Sequence, residues 1–311
     1  MRARRVCALL PLFGSGEAFH TNGASPRGLA GNTPSTALHI AFQHPGAPSA
    51  SRALAMSFPK GHKPFIDQET VLPRLYVYDH CPFCVRARMI FGLKNLRHEL
   101  FFLANDEVDI PTSLIGKKAV PILELCRPGH PDHEQVMKES LDIVKRVDLD
   151  PAFGPPVLAG ESPARGDLEE WMSRNADVMR RLTRPRNARS SILPEFQFKS
   201  AREAFVRNHP IAPPADYEEN LANTPALKAQ LEAALLELEP LIHGPDAVTG
   251  PDAITSPGGG GGGVSYDDIS FFARMRSVTI VRDLEIPPRL RAYLDAMSER
   301  CDIPLYDLIA I

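Results

Sequence analysis

Residues 74–89 read RLYVYDHCPFCVRARM, and the pair Cys81 and Cys84 at its centre constrains this chain more than any other feature. Leu75 to Tyr78 is a short apolar run that reads as a buried strand bounded by Asp79 and His80, and a helical pattern opens directly after Cys81. Two thiols three residues apart therefore stand at a strand-to-helix junction. A thiol there faces unpaired backbone N–H groups and the positive end of the helix dipole, which favour a thiolate. Cys81 is thus suited to be a nucleophile. Cys84 follows one turn later on the same side, within reach of a mixed disulfide formed on Cys81. Pro82 fits the first helical position, where its fixed φ and missing N–H cost nothing.

Other chemistries use the same spacing. Half of a zinc site would need a second cysteine pair or two histidines at ligand spacing. Cys7, Cys126 and Cys301 are far apart in the sequence, and His80 and His98 could complete such a site only by a coincidence of the fold. An iron-sulfur cluster shared between two protomers would use cysteine thiolates as ligands. Dithiol exchange needs no further residues, and no metal is called for.

The 311 residues are 43% hydrophobic, enough for more than one packed unit. No apolar run approaches the eighteen or so residues of a membrane helix. Charge is unevenly placed. Residues 1–66 hold seven of the 35 Lys/Arg but one of the 38 Asp/Glu, so the remainder has 28 basic against 37 acidic residues. An acidic body argues against nucleic acid as partner, and five scattered cysteines do not make a secreted disulfide scaffold. The first 66 residues, rich in Arg, Ser, Ala, Pro and Gly, have the composition of an organelle transit sequence with no fold of its own. Plastid and mitochondrion are both open, as is a cytoplasmic protein if the leader is not functional.

Beyond residue 72 the pattern is strand (75–78), helix (82–93), strand (99–103), a short helical region (105–113), strand (120–123), a turn at 127–134, strand (136–138) and helix (141–147). Val85, Met89 and Ile90 mark one face of the first helix, with Arg86 and Arg88 elsewhere and Gly92 near its end as a cap. A crossover of this length makes the first two strands parallel. Pro121 is anomalous inside a core strand, where it cannot donate to the ladder, and suits an edge strand or a special site. Cys126 closes that strand as a small hydrophobe. Glu139-Ser140 places a hydroxyl at a helix N-cap, and such helix ends bind carboxylates. Residues 151–163 are a Pro/Gly-rich linker. From 164 to 311 everything reads as helical, with segments at 168–172, 199–208, 226–242, 267–281 and 288–299. A flexible Gly-rich insertion at 251–263 interrupts them. Its six glycines are not a phosphate loop, because no strand precedes them and no Gly-Lys-Ser/Thr follows.

Residues 74–150 and 161–311 resemble the two-domain glutaredoxin 2 family. The likeness is carried by YDHCPFCVRARMIFGLKN (78–95), NDE (105–107), PTSLIGKKAVPIL (111–123), KESLDIVKRVD (138–148) and SPARGDLEEW (162–171). The family's C-P-Y-C stands here as C-P-F-C, which removes one hydroxyl and leaves both cysteines. The resemblance implies an α/β thioredoxin-like domain (72–150) followed by an all-α helical domain of glutathione-transferase type (164–311). It implies glutathione as co-substrate and disulfide-containing or glutathionylated proteins as partners, in a monomer with no membrane or nucleic-acid role. Pro121 should then be cis, with Val120 pairing main chain to main chain with the cysteinyl unit of glutathione. Ser140 would hold its γ-glutamyl carboxylate and Glu139 its ammonium. Phe83 would shape the pocket. Arg86 and Lys118 are candidates for steering the glycyl carboxylate or, with Pro82, lowering the thiol pKa. Two rivals remain at this stage: a glutathione transferase or dehydroascorbate reductase using Cys81, and an iron-sulfur carrier or redox-regulated binding module. Cys84 favours the glutaredoxin reading.

Overall fold

Leu75, Tyr76 and Val77 are buried because β2 (Arg74–Val77) lies in the middle of a five-stranded sheet. The computed structural model describes residues 38–39, 72–125, 135–158, 165–211, 216–242 and 264–311, all within one compact unit. The connection β2, α1 (Pro82–Leu93), β3 (Glu99–Phe102) pairs its strands in parallel, with Leu75 opposite Leu100 and Val77 opposite Phe102. After α2 (Asp109–Ile115), β4 (Ile122–Leu125) runs antiparallel to β2, and β5 (Gln135–Met137) runs antiparallel to β4. The helix α3 (Ser140–Leu149) then packs on α1. The sequence predicts four strands. The fifth, β1 (Leu38–His39), comes from the leader and pairs antiparallel with β3. The rest of the leader, Cys7, Cys126, the turn at 127–134 and the insertion at 251–263 lie outside the described residues.

Pro121 precedes the ladder instead of sitting within it, since β4 starts at Ile122. The missing N–H therefore leaves no gap in the pairing, and the Val120–Pro121 bond is cis.

The helical half consists of α4 (Gly166–Arg189), α5 (Lys199–Asn208), α6 (Tyr217–Ala222), α7 (Thr224–Leu238), α8 (Tyr266–Met275) and α9 (Pro288–Cys301). In the helix predicted over 226–242, Leu227, Leu231, Leu235 and Leu238 recur at helical spacing and are buried in the core. The helix ends sooner than its spacing predicts, because Pro240 opens a 3-10 turn over Glu239–Leu241. The stretch predicted as one helix over 267–281 is also two pieces, α8 and a 3-10 segment Arg276–Ile280. Ser265 caps α8, accepting from Asp267 N and Asp268 N while its own N–H donates to Asp268 Oδ2 at 2.8 Å. Pro151–Phe153 begins the predicted linker as a 3-10 turn capped by Asp150, and Asp148 Oδ1 accepts from Val157 N at 2.8 Å, tying the next residues to the sheet domain.

Both halves share one apolar core. Helix α1 is the piece they share: α3 covers one side, α8 and α9 the other. Arg86 and Arg88, predicted away from the apolar face, are consequently buried along with Val85, Met89 and Ile90. Gly92 is not a cap. It lies inside the helix, and a Cβ there would stand 1.9 Å from the carbonyl oxygen of Cys301. Only glycine lets the end of α9 approach this closely. The turn after α1 falls to Asn95, with φ of 49°.

Candidate active site

Cys81 is the N-cap of α1, in extended backbone (φ −76°, ψ 119°), and Pro82 takes the first helical position. The Cys81 carbonyl accepts from Val85 N at 3.0 Å, closing the first turn. Cys81 is partly exposed, whereas Cys84 is fully buried. The Cys81 thiol is pulled down to about 7, chiefly by a hydrogen bond from Cys84. The charge of His80 and the N–H groups of Cys84 and Phe83 add to this and outweigh its desolvation. The Cys84 thiol is pushed well above its ordinary value by burial and by Cys81, although Tyr78 N donates to its Sγ at 3.3 Å. The two thiols thus divide as an attacking and a held-back sulfur.

Two cross-domain contacts frame the pair, and neither pairing is foreseen from the sequence, where Asp79 and His80 only bound the strand. Asp79 is buried and accepts from Arg88 Nη1 at 2.6 Å, Arg276 Nη2 at 2.9 Å and the Tyr306 hydroxyl at 2.8 Å. Its main-chain oxygen accepts from Arg276 Nη1 at 2.8 Å and Tyr306 at 3.0 Å. Burial would raise the Asp79 carboxyl, but Arg276 and Arg88 hold it far below the usual range. One residue on, His80 donates its backbone N–H to Glu195 Oε1 at 2.8 Å, and its Nδ1 lies 2.6 Å from the same oxygen. A signal existed for Arg276, one of two arginines inside the largely apolar run FFARMRSVTIV. Its partner is 197 positions away, which no local pattern reveals.

The residues assigned to glutathione by resemblance are placed as follows. The antiparallel register pairs Tyr76 with Ile122. Carried two residues past the ladder, it sets Val120 across from Tyr78, at the foot of the Asp79-His80-Cys81 turn. Pro121 is buried beside it. Ser140 is buried at the first helical position of α3, not at its cap. The N-cap is Glu139, whose positive φ of 70° starts the helix one residue early and leaves its side chain exposed. Lys118 is half-buried, donates Nζ to the Asn105 carbonyl, and is lowered by that burial. Phe83 is 50% exposed, and the Arg86 guanidinium lies 5.2 Å from its ring centroid. Arg86 is brought down to about 10, mainly by burial and then by Arg274. Of the charged side chains, His80 bears most on Cys81. Among the described residues no group of three His, Cys, Asp or Glu side chains is arranged to hold a metal, and no helix is long and apolar enough to cross a membrane.

Family models match in two places: "Glutathione S-transferase, N-terminal domain" over residues 75–156 and "Glutaredoxin 2, C terminal domain" over residues 167–310. Glutaredoxin 2 of Escherichia coli K12 is 38% identical over 240 residues, covering 76% of this chain and all of the relative. The chain belongs to the glutaredoxin 2 family. A solved glutaredoxin 2 from Salmonella typhimurium, in complex with glutathione, superposes with a TM-score of 0.66 at 35% identity, covering 78% of this chain and 100% of that one. Membership agrees with the two-part architecture: a thioredoxin-like sheet domain followed by a helical domain of glutathione-transferase type.

Proposed function

We infer that this protein is a glutathione-dependent thiol–disulfide oxidoreductase. The observation that carries the reading is the asymmetry of the dithiol: a thiol drawn down to about 7 at a helix start, above a buried partner held protonated. Its membership of the glutaredoxin 2 family supplies the reductant, glutathione. In the dithiol cycle the Cys81 thiolate attacks one sulfur of a protein disulfide, forming a mixed disulfide and releasing the other sulfur as a thiolate. Cys84 gives up its proton and attacks Cys81 Sγ, which frees the substrate as a dithiol and leaves a Cys81–Cys84 disulfide. One glutathione thiolate reopens it at Cys81. A second takes the glutathionyl group, so two glutathiones leave as one oxidised disulfide. In the monothiol cycle Cys81 alone accepts glutathione from a glutathionylated protein.

Support for a glutathione groove comes from the cis Val120–Pro121 bond beside the turn that leads to Cys81 and from the start of α3 at Glu139-Ser140. There the main chain of Val120 would pair with the tripeptide, Ser140 and the open helix N–H groups would take its carboxylate, and Glu139 its ammonium. Lys118 and Phe83 would border its other end. Protein disulfides and glutathionylated proteins are the proposed partners, met by a monomer. The basic, acid-poor leader makes a plastid or mitochondrion the proposed destination, to be read from a fluorescent reporter carrying residues 1–66. A diffuse cytosolic signal would reject that part.

The test of function is reduction of a glutathione mixed disulfide, run beside dehydroascorbate and a chlorinated aromatic acceptor. Fast turnover of the mixed disulfide is the expected result. Turnover of the aromatic acceptor alone would overturn the reading.

A further inference from the structure

Glu195 belongs to the helical half, on the 3-10 turn Pro194–Phe196, yet its carboxylate ends beside Cys81's neighbour. It has no solvent exposure. Its Oε1 accepts from the His80 backbone N–H and lies 2.6 Å from His80 Nδ1, while Oε2 is buried with no hydrogen-bond partner. The turn is pinned from the sheet side as well, where Asn105 N donates to the Glu195 carbonyl at 2.9 Å. The imidazole is walled by Phe196 at 4.8 Å and Phe205 at 5.1 Å between ring centroids, with Tyr78 stacked at 6.0 Å. A carboxylate that is half unsatisfied and dry is costly unless it serves a charge nearby.

We propose that Glu195 is a positioning residue for Cys81 and acts through His80: the carboxylate fixes the imidazole and offsets its positive charge, and the ring presents that charge to the Cys81 thiolate. The proposal rests on Cys81 being the nucleophile. The other titratable or charged groups near the pair are Cys84, Tyr78 and Glu107 on the sheet side and Arg276 and Tyr306 on the helical side. Arg276 and Tyr306 are already engaged by Asp79, and His209 lies behind Phe205, stacked at 4.3 Å. Arg86 on α1 is also felt at Cys81, and His80 is the cation that the helical half holds by a direct hydrogen bond. The sign of the effect distinguishes this route from a direct one. Acting directly, the negative charge of Glu195 disfavours a thiolate, as it does at Cys84. Relayed by His80, it favours one.

The test is the pH dependence of iodoacetamide alkylation at Cys81, followed by peptide mass spectrometry on the full chain for wild type, Glu195→Gln, His80→Gln and the double variant. The predicted result is an upward shift of the Cys81 midpoint by about one pH unit in each single variant, with about tenfold slower alkylation well below both midpoints. The double variant should shift no further. A midpoint that falls or stays in Glu195→Gln overturns the proposal, since a purely structural role would lower the melting temperature and leave the midpoint in place. If Glu195→Gln does not fold, His80→Gln decides: its side chain still donates to Glu195, and an unmoved midpoint there overturns the proposal equally. Glutathione is absent from the measurement, so failure of the proposed function, read from turnover by the wild type, is seen separately.

Discussion

Asp79 and Glu195 are both buried carboxylates that join the two halves of the protein from opposite directions, and they are satisfied very differently. Asp79 meets two arginines and a phenol, with donors on both carboxylate oxygens. Glu195 meets one histidine and leaves an oxygen bare. Guanidinium partners keep their charge at any physiological pH, so the Asp79 contact fixes geometry and does not respond. Glu195 has a single imidazole in their place, held to one oxygen. The two residues they hold, Asp79 and His80, are adjacent, and Cys81 follows. One contact sets where the nucleophile's turn lies; the other sets the charge it feels.

The largest effect should come from breaking the fixed contact. Arg276→Ala leaves Asp79 and Tyr306 facing each other without the shared cation, and loss of one member of a buried pair costs about 3–5 kcal/mol. Urea unfolding should show it, and a loss under about 1 kcal/mol would mean that Asp79 is no more than a peripheral contact. The contact should also be insensitive to mild acid. Its carboxyl is held far below its ordinary value, so its contribution is full above the ordinary carboxylate range and is lost only as pH falls through that depressed folded value.

Gly92→Ala comes next. The new Cβ would meet the Cys301 backbone, and overpacking at this approach should cost about 3 kcal/mol, read as a lower urea midpoint with the Cys81 alkylation profile unmoved. A shift in that profile would show that the far end of α1 is coupled to its start.

The strand and helix around the dithiol were legible from residue pattern alone, because the apolar period and the proline signal are local: α1 runs over Pro82–Leu93 as predicted, and β2 over Arg74–Val77, one residue ahead of the predicted 75–78. What the pattern missed depends on the second domain. Arg86, Arg88 and Gly92 read as a polar face and a cap, and all three are covered or pressed by α8 and α9. Asp79 with Arg276, and His80 with Glu195, join residues more than a hundred positions apart. Ser140 was misplaced by one position because the positive φ of Glu139 is not visible in residue type. Helix α6 was missed although its capping box, Asp216 with Glu219, was there to be read. The cis bond at Pro121 followed from family resemblance, not from spacing.

A smaller effect should come from outside both cross-domain contacts. Ser140→Ala removes one hydrogen bond to a charged group if it holds the glutathione carboxylate, about 1.5–3 kcal/mol. The Michaelis constant for glutathione should rise roughly tenfold or more, with urea stability and the Cys81 profile little changed. Unchanged glutathione kinetics in both Ser140→Ala and Glu139→Ala would remove them from the groove.

The central claim is that the helix start divides the labour between an activated Cys81 and a held-back Cys84. Turnover of a glutathionylated protein and of a protein disulfide should be measured side by side for Cys81→Ser and Cys84→Ser. The account predicts no activity on either substrate for Cys81→Ser, and for Cys84→Ser retained deglutathionylation with loss of protein-disulfide reduction. Substantial turnover by Cys81→Ser, or equal loss of both reactions in Cys84→Ser, would contradict it.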